Sequence, residues 1–259
     1  MNLPPIGFGT SPYRANGARV DIEPAVRIAL AAGYRLFDLA EMYGNERAVG
    51  RALGGKAQVI GKAWRTNFRP EHLKRACKDS LQRIGIDAFD LYLLHAPEAW
   101  RHVAPLDDVE DIGWDELTRR AAPGVVDDVP LPETWEAMRG LLDAGLAKQI
   151  GVSNFVQQQI DALGEPRPFA NEIPCWPLAS SDIPVIGYSP LKNMDAPLIK
   201  TIAAAHARTP AQVILRFLTQ RGIVPLTSSV NPDHIRESLG ALDFELDAAE
   251  VDAIVTATR

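Results

Sequence analysis

The sequence predicts a (β/α)8 barrel, an α/β fold in which eight parallel strands close a cylinder inside a ring of helices. Eight short apolar runs recur along the 259 residues, and amphipathic helical segments follow most of them. Each run is almost continuously apolar, which is typical of parallel strands covered on both faces. No linker or low-complexity stretch interrupts the alternation, so we expect residues 1–259 to form one TIM-barrel domain.

The first half of the chain supplies four of the predicted strands. They are the segments IGFGT (6–10), YRLFDLA (34–40), QVIGKAW (58–64) and AFDLYLLHAP (88–97). A segment with helical periodicity follows each of the first three strands. The first of these segments ends at Gly33, and the other two cover residues 44–53 and 69–85. After the fourth strand a long insertion, 98–131, precedes the next helical pattern at 132–145.

The second half supplies the other four strands, KQIGVSNF (148–155), PFANEIPC (168–175), IPVIGYSP (183–190) and IVPLTSS (223–229). Helical patterns occupy residues 157–163, 196–207, 209–222, 232–242 and 247–258. Only nine residues, WPLASSDIP (176–184), connect the sixth and seventh strands. A helical crossover needs about a dozen residues or more. We therefore expect this barrel to lack one helix, to leave an apolar flank bare near 176–184, and to form a homo-oligomer through that flank.

Composition excludes several classes of function. The net charge of -6 at pH 7 gives no basic surface for nucleic acid or for an anionic membrane. No apolar stretch is long enough to span a membrane, and MNLPPIGFGT does not resemble an export signal. Cys77 and Cys175 have no metal-ligand spacing around them, so neither a metal site nor a disulfide framework is predicted. We expect a cytoplasmic protein.

Four polar residues fall at or just after the carboxyl ends of three successive strands. They are Asp38, Lys62 and His95, with Tyr43 a few residues into a loop. Each alone is more often structural, but in a barrel these ends converge on one mouth. An ammonium group beside a phenol stabilises the phenolate and lowers the pKa of the phenol, and an acid fixes the ammonium. A neutral imidazole donates a hydrogen bond to a carbonyl oxygen. The set therefore predicts reduction of a carbonyl by hydride.

These residues also carry a resemblance to a known family. The segment GYRLFDLAEMYGNERAVGRAL (33–53) resembles the part of the aldo-keto reductases that holds their catalytic Asp and Tyr. By this resemblance Tyr43 is the general acid, Lys62 lowers its pKa, Asp38 supports Lys62, and His95 orients the substrate carbonyl. The resemblance implies an NAD(P)H-dependent oxidoreductase that reduces an aldehyde or ketone to an alcohol.

The resemblance extends in order to the C-terminus and implies a cofactor site. IGVSNF (150–155) resembles the stretch that holds the nicotinamide carboxamide, and GYSPL (187–191) resembles the stretch that stacks under the ring and follows the pyrophosphate. TSSVNPDHIRESL (227–239) resembles the segment at the adenosine end. The implied cofactor residues are Ser153, Asn154, Glu172, Tyr188, Ser189, Leu191, Thr227, Ser228, His234 and Glu237.

Two parts of the cofactor site depart from the family pattern. Glu172 stands where the family usually has a Gln that binds the carboxamide. If ionised, its carboxylate would favour the oxidised, cationic nicotinamide over the reduced form. At the adenosine end, Leu226, Thr227 and His234 replace the Lys, Ser and Arg that often hold the 2'-phosphate. Arg236 and nearby hydroxyls remain to bind a phosphate. NADP(H) is the first choice, and NAD(H) stays open.

The substrate is predicted to be a small carbonyl compound. The insertion 98–131 leaves the barrel at the predicted mouth and contains nine acidic residues and three Arg, so a solvated lid is its simplest interpretation. Trp64, Trp100 and Trp114 offer apolar surface near the site. The chain ends after the last helical pattern, whereas many relatives continue and fold a tail over the pocket. Substrate contacts are therefore expected from the early loops, the insertion and Trp64.

Two other functions stay open at this point. One is a redox-silent barrel that binds the cofactor as a sensor or regulatory subunit. The other is a lyase or isomerase on the same scaffold, which Glu172 and the missing helix keep possible. Because fold alone does not determine function, turnover has to discriminate among the three.

Overall fold

A computed structural model describes residues 2–12, 14–15, 18–102, 126–177 and 181–258 of the chain. Its eight parallel strands form a closed barrel in which each strand pairs with the next and the last pairs with the first. The (β/α)8 prediction is confirmed. The strands are β1 Gly7–Gly9, β2 Leu36–Asp38, β3 Gln58–Ala63, β4 Leu91–Leu94, β5 Ile150–Ser153, β6 Asn171–Pro174, β7 Val185–Tyr188 and β8 Ile223–Thr227. A separate pair of two-residue antiparallel strands joins Arg14–Ala15 to Ala18–Arg19.

Helices surround the strands where the sequence periodicity predicts them. In the described residues they are α1 Glu23–Ala32, α2 Glu46–Leu53, α3 Pro70–Ile84, α4 Leu131–Asp143, α5 Gln157–Asp161, α6 Pro197–Ala205, α7 Pro210–Gln220, α8 Pro232–Leu239 and α9 Ala248–Ala257. Gly33 ends α1 and Gly85 ends α3, both with positive φ, which a glycine adopts without steric cost. None of these helices is long and apolar enough to cross a membrane.

Apolar side chains fill the barrel in a packed core. Those that pack inside the cylinder include Leu36, Ile60, Leu91, Leu93, Ala170, Ile186 and Leu226. Larger clusters between the strands and the helices contain the bulky residues of the outer faces. Because the interior is filled, the polar residues of the strands are displaced to the strand ends.

Parallel pairing aligns the carboxyl ends of the strands at one mouth. Asp38, the last residue of β2, pairs in register with Ile60 of β3. Two residues further along β3, Lys62 pairs with Leu93 of β4. On the other side of the barrel, Ser153 pairs with Glu172. The same edge therefore carries polar residues from several strands.

The connection between β6 and β7 has no helix in its described residues, 175–177 and 181–184, as its length predicted. The expected bare flank is a different matter. Cys175, Trp176, Ile183 and Val185 are each at most 9% exposed, and the Trp176 ring stacks parallel to a ring of α7. The described residues thus bury the apolar surface that was expected to be open. The homo-oligomer through residues 176–184 stays a prediction, but the exposed apolar surface on which it was based is absent from the described residues.

Two helical glycines give a matched test of packing. A Cβ on Gly50 of α2 would lie 2.1 Å from the backbone oxygen of Ile84, whereas a Cβ on Gly140 of α4 would meet nothing within 4 Å. We expect Gly50→Ala to lower the free energy of unfolding by about 1–3 kcal/mol because α2 and α3 must separate. We expect Gly140→Ala to raise it by up to about 1 kcal/mol through helix propensity. Urea denaturation measures both, and equal effects would contradict this account of α2–α3 packing.

Candidate active site

The four predicted catalytic residues lie together at the mouth of the barrel. Asp38 ends β2, Lys62 is the penultimate residue of β3, and His95 directly follows β4. Tyr43 closes a 3-10 turn, Glu41–Tyr43, after β2, and its ring lies 6.0 Å from the His95 ring, centroid to centroid. This turn brings the chain back over the mouth of the barrel, so Tyr43, although it lies in a loop, comes close to Asp38, Lys62 and His95.

The ammonium group of Lys62 is the centre of this group. Its side chain is fully buried and donates a very close hydrogen bond to Asp38. Nζ also lies 3.2 Å from the backbone oxygen of Leu39, 3.5 Å from the Tyr43 hydroxyl and 3.2 Å from Oε1 of Glu172. Its carboxylate neighbours hold the pKa of Lys62 above its ordinary value in spite of burial, so the group is a cation.

Two carboxyl groups share this one cation. Asp38 and Glu172 are each 3% exposed, and burial raises the pKa of both, although Lys62 lowers both. The carboxyl of Asp38 further raises the pKa of Glu172, which reaches about 8. Oε2 of Glu172 is buried and has no hydrogen-bond partner among the described residues.

Tyr43 is a protonated phenol in this structure. Burial raises its pKa above the ordinary value, and Lys62 lowers it by less than burial raises it. The nearby Asp38 and Glu172 carboxyls raise it further. Lys62 does lower the pKa of Tyr43, as predicted. The prediction of a net lowered pKa is wrong, because burial raises the pKa of Tyr43 by more than Lys62, already paired with Asp38, lowers it.

His95 is a neutral imidazole. Burial first, then the positive charges of Lys62 and Arg65, hold its pKa well below the ordinary value. Its Nδ1 is buried and unpaired within the described residues. Trp64 packs edge-on against His95 at 5.1 Å and against Trp100 at 5.7 Å, so these two predicted substrate residues adjoin the site. Trp114 lies outside the described residues.

The residues predicted to hold nicotinamide line the same cavity. Ser153 donates to the backbone oxygen of Glu172, Asn154 donates to the backbone oxygen of His95, and the Tyr188 hydroxyl donates to Asn154 at 2.9 Å. Asn154 and Ser189 have positive φ, 64° and 54°. Non-glycine residues rarely adopt this conformation, and strained residues of this kind cluster at active sites.

This cavity measures about 950 Å³ and extends from Tyr43 and His95 past Tyr188 to Ser228. A second cavity of about 260 Å³ adjoins it and shares Leu191, Thr227 and Ser228. Together they form a long site at one rim of the mouth. The buried Oε2 of Glu172 has no partner among the described residues, and a carboxyl oxygen at this place fits the amide group of a nicotinamide.

The second cavity contains the predicted adenosine-end residues. His234 and Glu237 line it from α8, and the Thr209 hydroxyl donates to Glu237. Thr227 is buried and hydrogen-bonded to the Tyr34 hydroxyl at 2.8 Å, while Ser228 donates to the backbone oxygen of Gly9. The hydroxyl of Thr227 thus faces the protein, and the hydroxyl of Ser228 also has a partner within it.

Sequence reasoning assigned Glu172 to the cofactor and missed its ion pair with Lys62. A signal was present, because an acid within an apolar strand is seldom buried unless it is paired, and Lys62 lies late in another apolar strand segment. Glu41 was also missed. Its buried carboxylate accepts from the Asn67 side chain at 2.7 Å and from the Trp64 amide at 3.2 Å, which fixes the backbone that carries Trp64.

Comparisons with known proteins agree with this geometry. A sequence model described as the Aldo/keto reductase family matches residues 5–194 and 189–259. The chain is 33% identical to aldo-keto reductase family 1 member A1-A of Danio rerio, over 100% of this chain and 87% of that protein. It is 32% identical to aldo-keto reductase family 1 member C3 of Homo sapiens, over 97% of this chain and 87% of that protein.

Solved structures give the same result. An aldose reductase from Schistosoma japonicum superposes with a TM-score of 0.85 and 32% identity, covering 99% of this chain and 89% of that one. An aldose reductase from Giardia lamblia superposes with a TM-score of 0.82 and 27% identity, covering 98% of this chain and 91% of that one. With the barrel, the site and the full-length match in agreement, the chain belongs to the aldo-keto reductase family.

Proposed function

We propose that the protein reduces an aldehyde or ketone to an alcohol with NAD(P)H, and that Tyr43 is the proton donor. The observation that carries the proposal is the convergence of Tyr43, Lys62, Asp38 and His95 on one cavity at the mouth of the barrel. A partly buried phenol next to a buried ammonium group suits proton transfer to a developing alkoxide.

The roles follow from the contacts. Tyr43 keeps its proton in the resting site and gives it to the carbonyl oxygen as negative charge develops there. The Oη–H bond breaks, a new O–H bond forms on the substrate, and a phenolate remains. Lys62, 3.5 Å from this oxygen, stabilises the phenolate, and Asp38 holds Lys62 in place.

His95 positions the substrate. Because it is neutral, it has one N–H to donate to the carbonyl oxygen and carries no charge that would compete with Tyr43. Trp64 and Trp100 supply apolar surface beside it. A small carbonyl compound is therefore the proposed substrate class.

The long double cavity is proposed to bind the cofactor, which supplies the hydride when bound. Glu172, Ser153 and Asn154 would hold the carboxamide, and Tyr188 would stack on the ring. Leu191 and Ser189, which line the same cavity, would lie along the pyrophosphate. Because the pKa of Glu172 is about 8, its carboxylate would favour the cationic, oxidised ring only at alkaline pH.

Replacing the proton donor tests the function. We expect Tyr43→Phe to lower kcat for carbonyl reduction, followed by cofactor absorbance, by about 10²–10⁴-fold, since a general acid contributes about that much. Tyr92→Phe is the matched control. The Tyr92 hydroxyl is buried in the outer core and has no hydrogen-bond partner among the described residues, so its removal should leave turnover unchanged. Full activity of Tyr43→Phe with a panel of aldehydes and ketones would reject the proposal.

The choice of cofactor has a separate test. We propose that NADP(H) binds more tightly than NAD(H), with Arg236 of α8 as the remaining cation for the 2'-phosphate. Arg236 is exposed and only loosely paired with Asp233, at 3.4 Å, so it is available. Arg236→Ala should weaken NADPH binding about tenfold and leave NADH binding unchanged, measured by fluorescence titration. Arg139→Ala, which removes an exposed arginine of α4, should change neither. Equal affinity of the unaltered protein for both cofactors would contradict the preference.

A further inference from the structure

Lys62 has fewer protons to donate than oxygens to receive them. An ammonium group carries three N–H bonds. Four oxygens surround Nζ, belonging to Asp38, the Leu39 backbone, Glu172 and Tyr43, the last three at 3.2, 3.2 and 3.5 Å. The Lys62 side chain is fully buried, so these four oxygens compete for three hydrogen bonds. The Tyr43 hydroxyl is the most distant and therefore the first to lose its hydrogen bond.

The charges around Lys62 do not balance if both carboxyls are ionised. Two buried carboxylates against one ammonium leave one uncompensated negative charge, which in a dry site is relieved by taking up a proton. Asp38 forms the closer bond to Lys62, while Glu172 lies further away and its Oε2 has no partner in the described part of the chain. Glu172 is therefore the carboxyl that holds the proton.

Every charged or titratable group that faces Glu172 agrees with this assignment. Asp38 of β2 is an acid and Lys62 of β3 is already paired with it. Tyr43 and Tyr188 are phenols that burial keeps protonated and therefore neutral, so neither offsets a negative charge on Glu172. The pKa of Glu172, raised to about 8 by burial and by Asp38, has the direction that the geometry requires.

We propose that Glu172 competes with Tyr43 for a proton of the Lys62 ammonium group, so that Tyr43 is an effective proton donor only while Glu172 is itself protonated. A protonated Glu172 is a weak acceptor and leaves an N–H of Lys62 to stabilise the Tyr43 phenolate. An ionised Glu172 takes that N–H and adds negative charge beside the phenolate. A Gln at this position has no such titration. Glu172 is thus a positioning residue, and the inference rests on the proposed role of Tyr43.

The acidity of Tyr43 can be read directly. A fluorinated tyrosine, whose phenol ionises at lower pH than tyrosine, is incorporated at position 43 and titrated by ultraviolet absorbance in the cofactor-free protein. We expect Glu172→Gln to lower the ionisation midpoint by about one pH unit or more, since it removes a negative charge and the competing acceptor. An unchanged midpoint would overturn the inference. The titration needs no turnover, so failure of the protein to reduce any carbonyl would reject the proposed function without affecting this result.

Two further variants separate this effect from general damage. Glu172→Ala should shift the midpoint in the same direction, which covers the case in which the Gln variant folds poorly. Glu250→Gln is the control, because Glu250 pairs with His206 and caps α9, and Gln preserves the cap. It should leave the midpoint unchanged. A shift in Glu250→Gln equal to that in Glu172→Gln would count against a local competition for Lys62.

The proton on Glu172 has its own test in protein stability. The folded pKa of about 8 lies above the ordinary value of 4.5, so the folded protein binds the extra proton between these values. The stability that this bound proton contributes is complete below about pH 4.5 and is lost as the pH rises through about 8. Relative to Glu172→Gln, the unaltered protein should therefore become less stable across this window, measured by urea denaturation at several pH values. Parallel curves for the two proteins would show that Glu172 is ionised throughout and overturn the inference.

Discussion

The buried ammonium group of Lys62 is the interaction on which the mouth of this barrel depends. It joins β2 through Asp38, β6 through Glu172 and the chain leaving β2 through the Leu39 carbonyl. Removing one partner of a buried ion pair typically costs about 3–5 kcal/mol, because the other charge stays buried without compensation. The lysine that is proposed to assist proton transfer is thus also the group that keeps three segments of the mouth in register.

The barrel separates stability from chemistry along the strand axis. Below the mouth, apolar residues such as Ile60 and Leu93 fill the interior, and the residues two positions further along the chain, Lys62 and His95, are polar. Lys62 follows Ile60 by two positions, so it points to the same side of β3 and continues the interior column upward. The charged Lys62 side chain is tolerated there because it meets a cavity and two acidic residues, Asp38 and Glu172, rather than further apolar side chains.

The sequence predicted the strands, most helices and the four strand-end residues, because these depend on local periodicity and on the rule that parallel strands share an edge. It did not predict that Glu172 pairs with Lys62, since a salt bridge between β3 and β6 depends on side chains crossing the barrel. Nor did it predict the covered flank near Trp176, whose ring stacks 6.2 Å from Phe217 of α7. Both misses are contacts between segments distant in sequence, which period and spacing do not encode.

The high pKa of the resting phenol bears on what Lys62 must do. A proton donor that ionised near neutral pH would be spent before substrate arrived, and burial prevents this for Tyr43. The alkoxide formed from a carbonyl is about as basic as hydroxide, whose conjugate acid, water, has a pKa of about 15.7. Proton transfer from Tyr43 is therefore favourable even from a phenol of raised pKa. The resting acidity of Tyr43 matters less than the stability of the phenolate left behind. That stability depends on how many of the three Lys62 protons remain for Tyr43, and hence on whether Glu172 is charged.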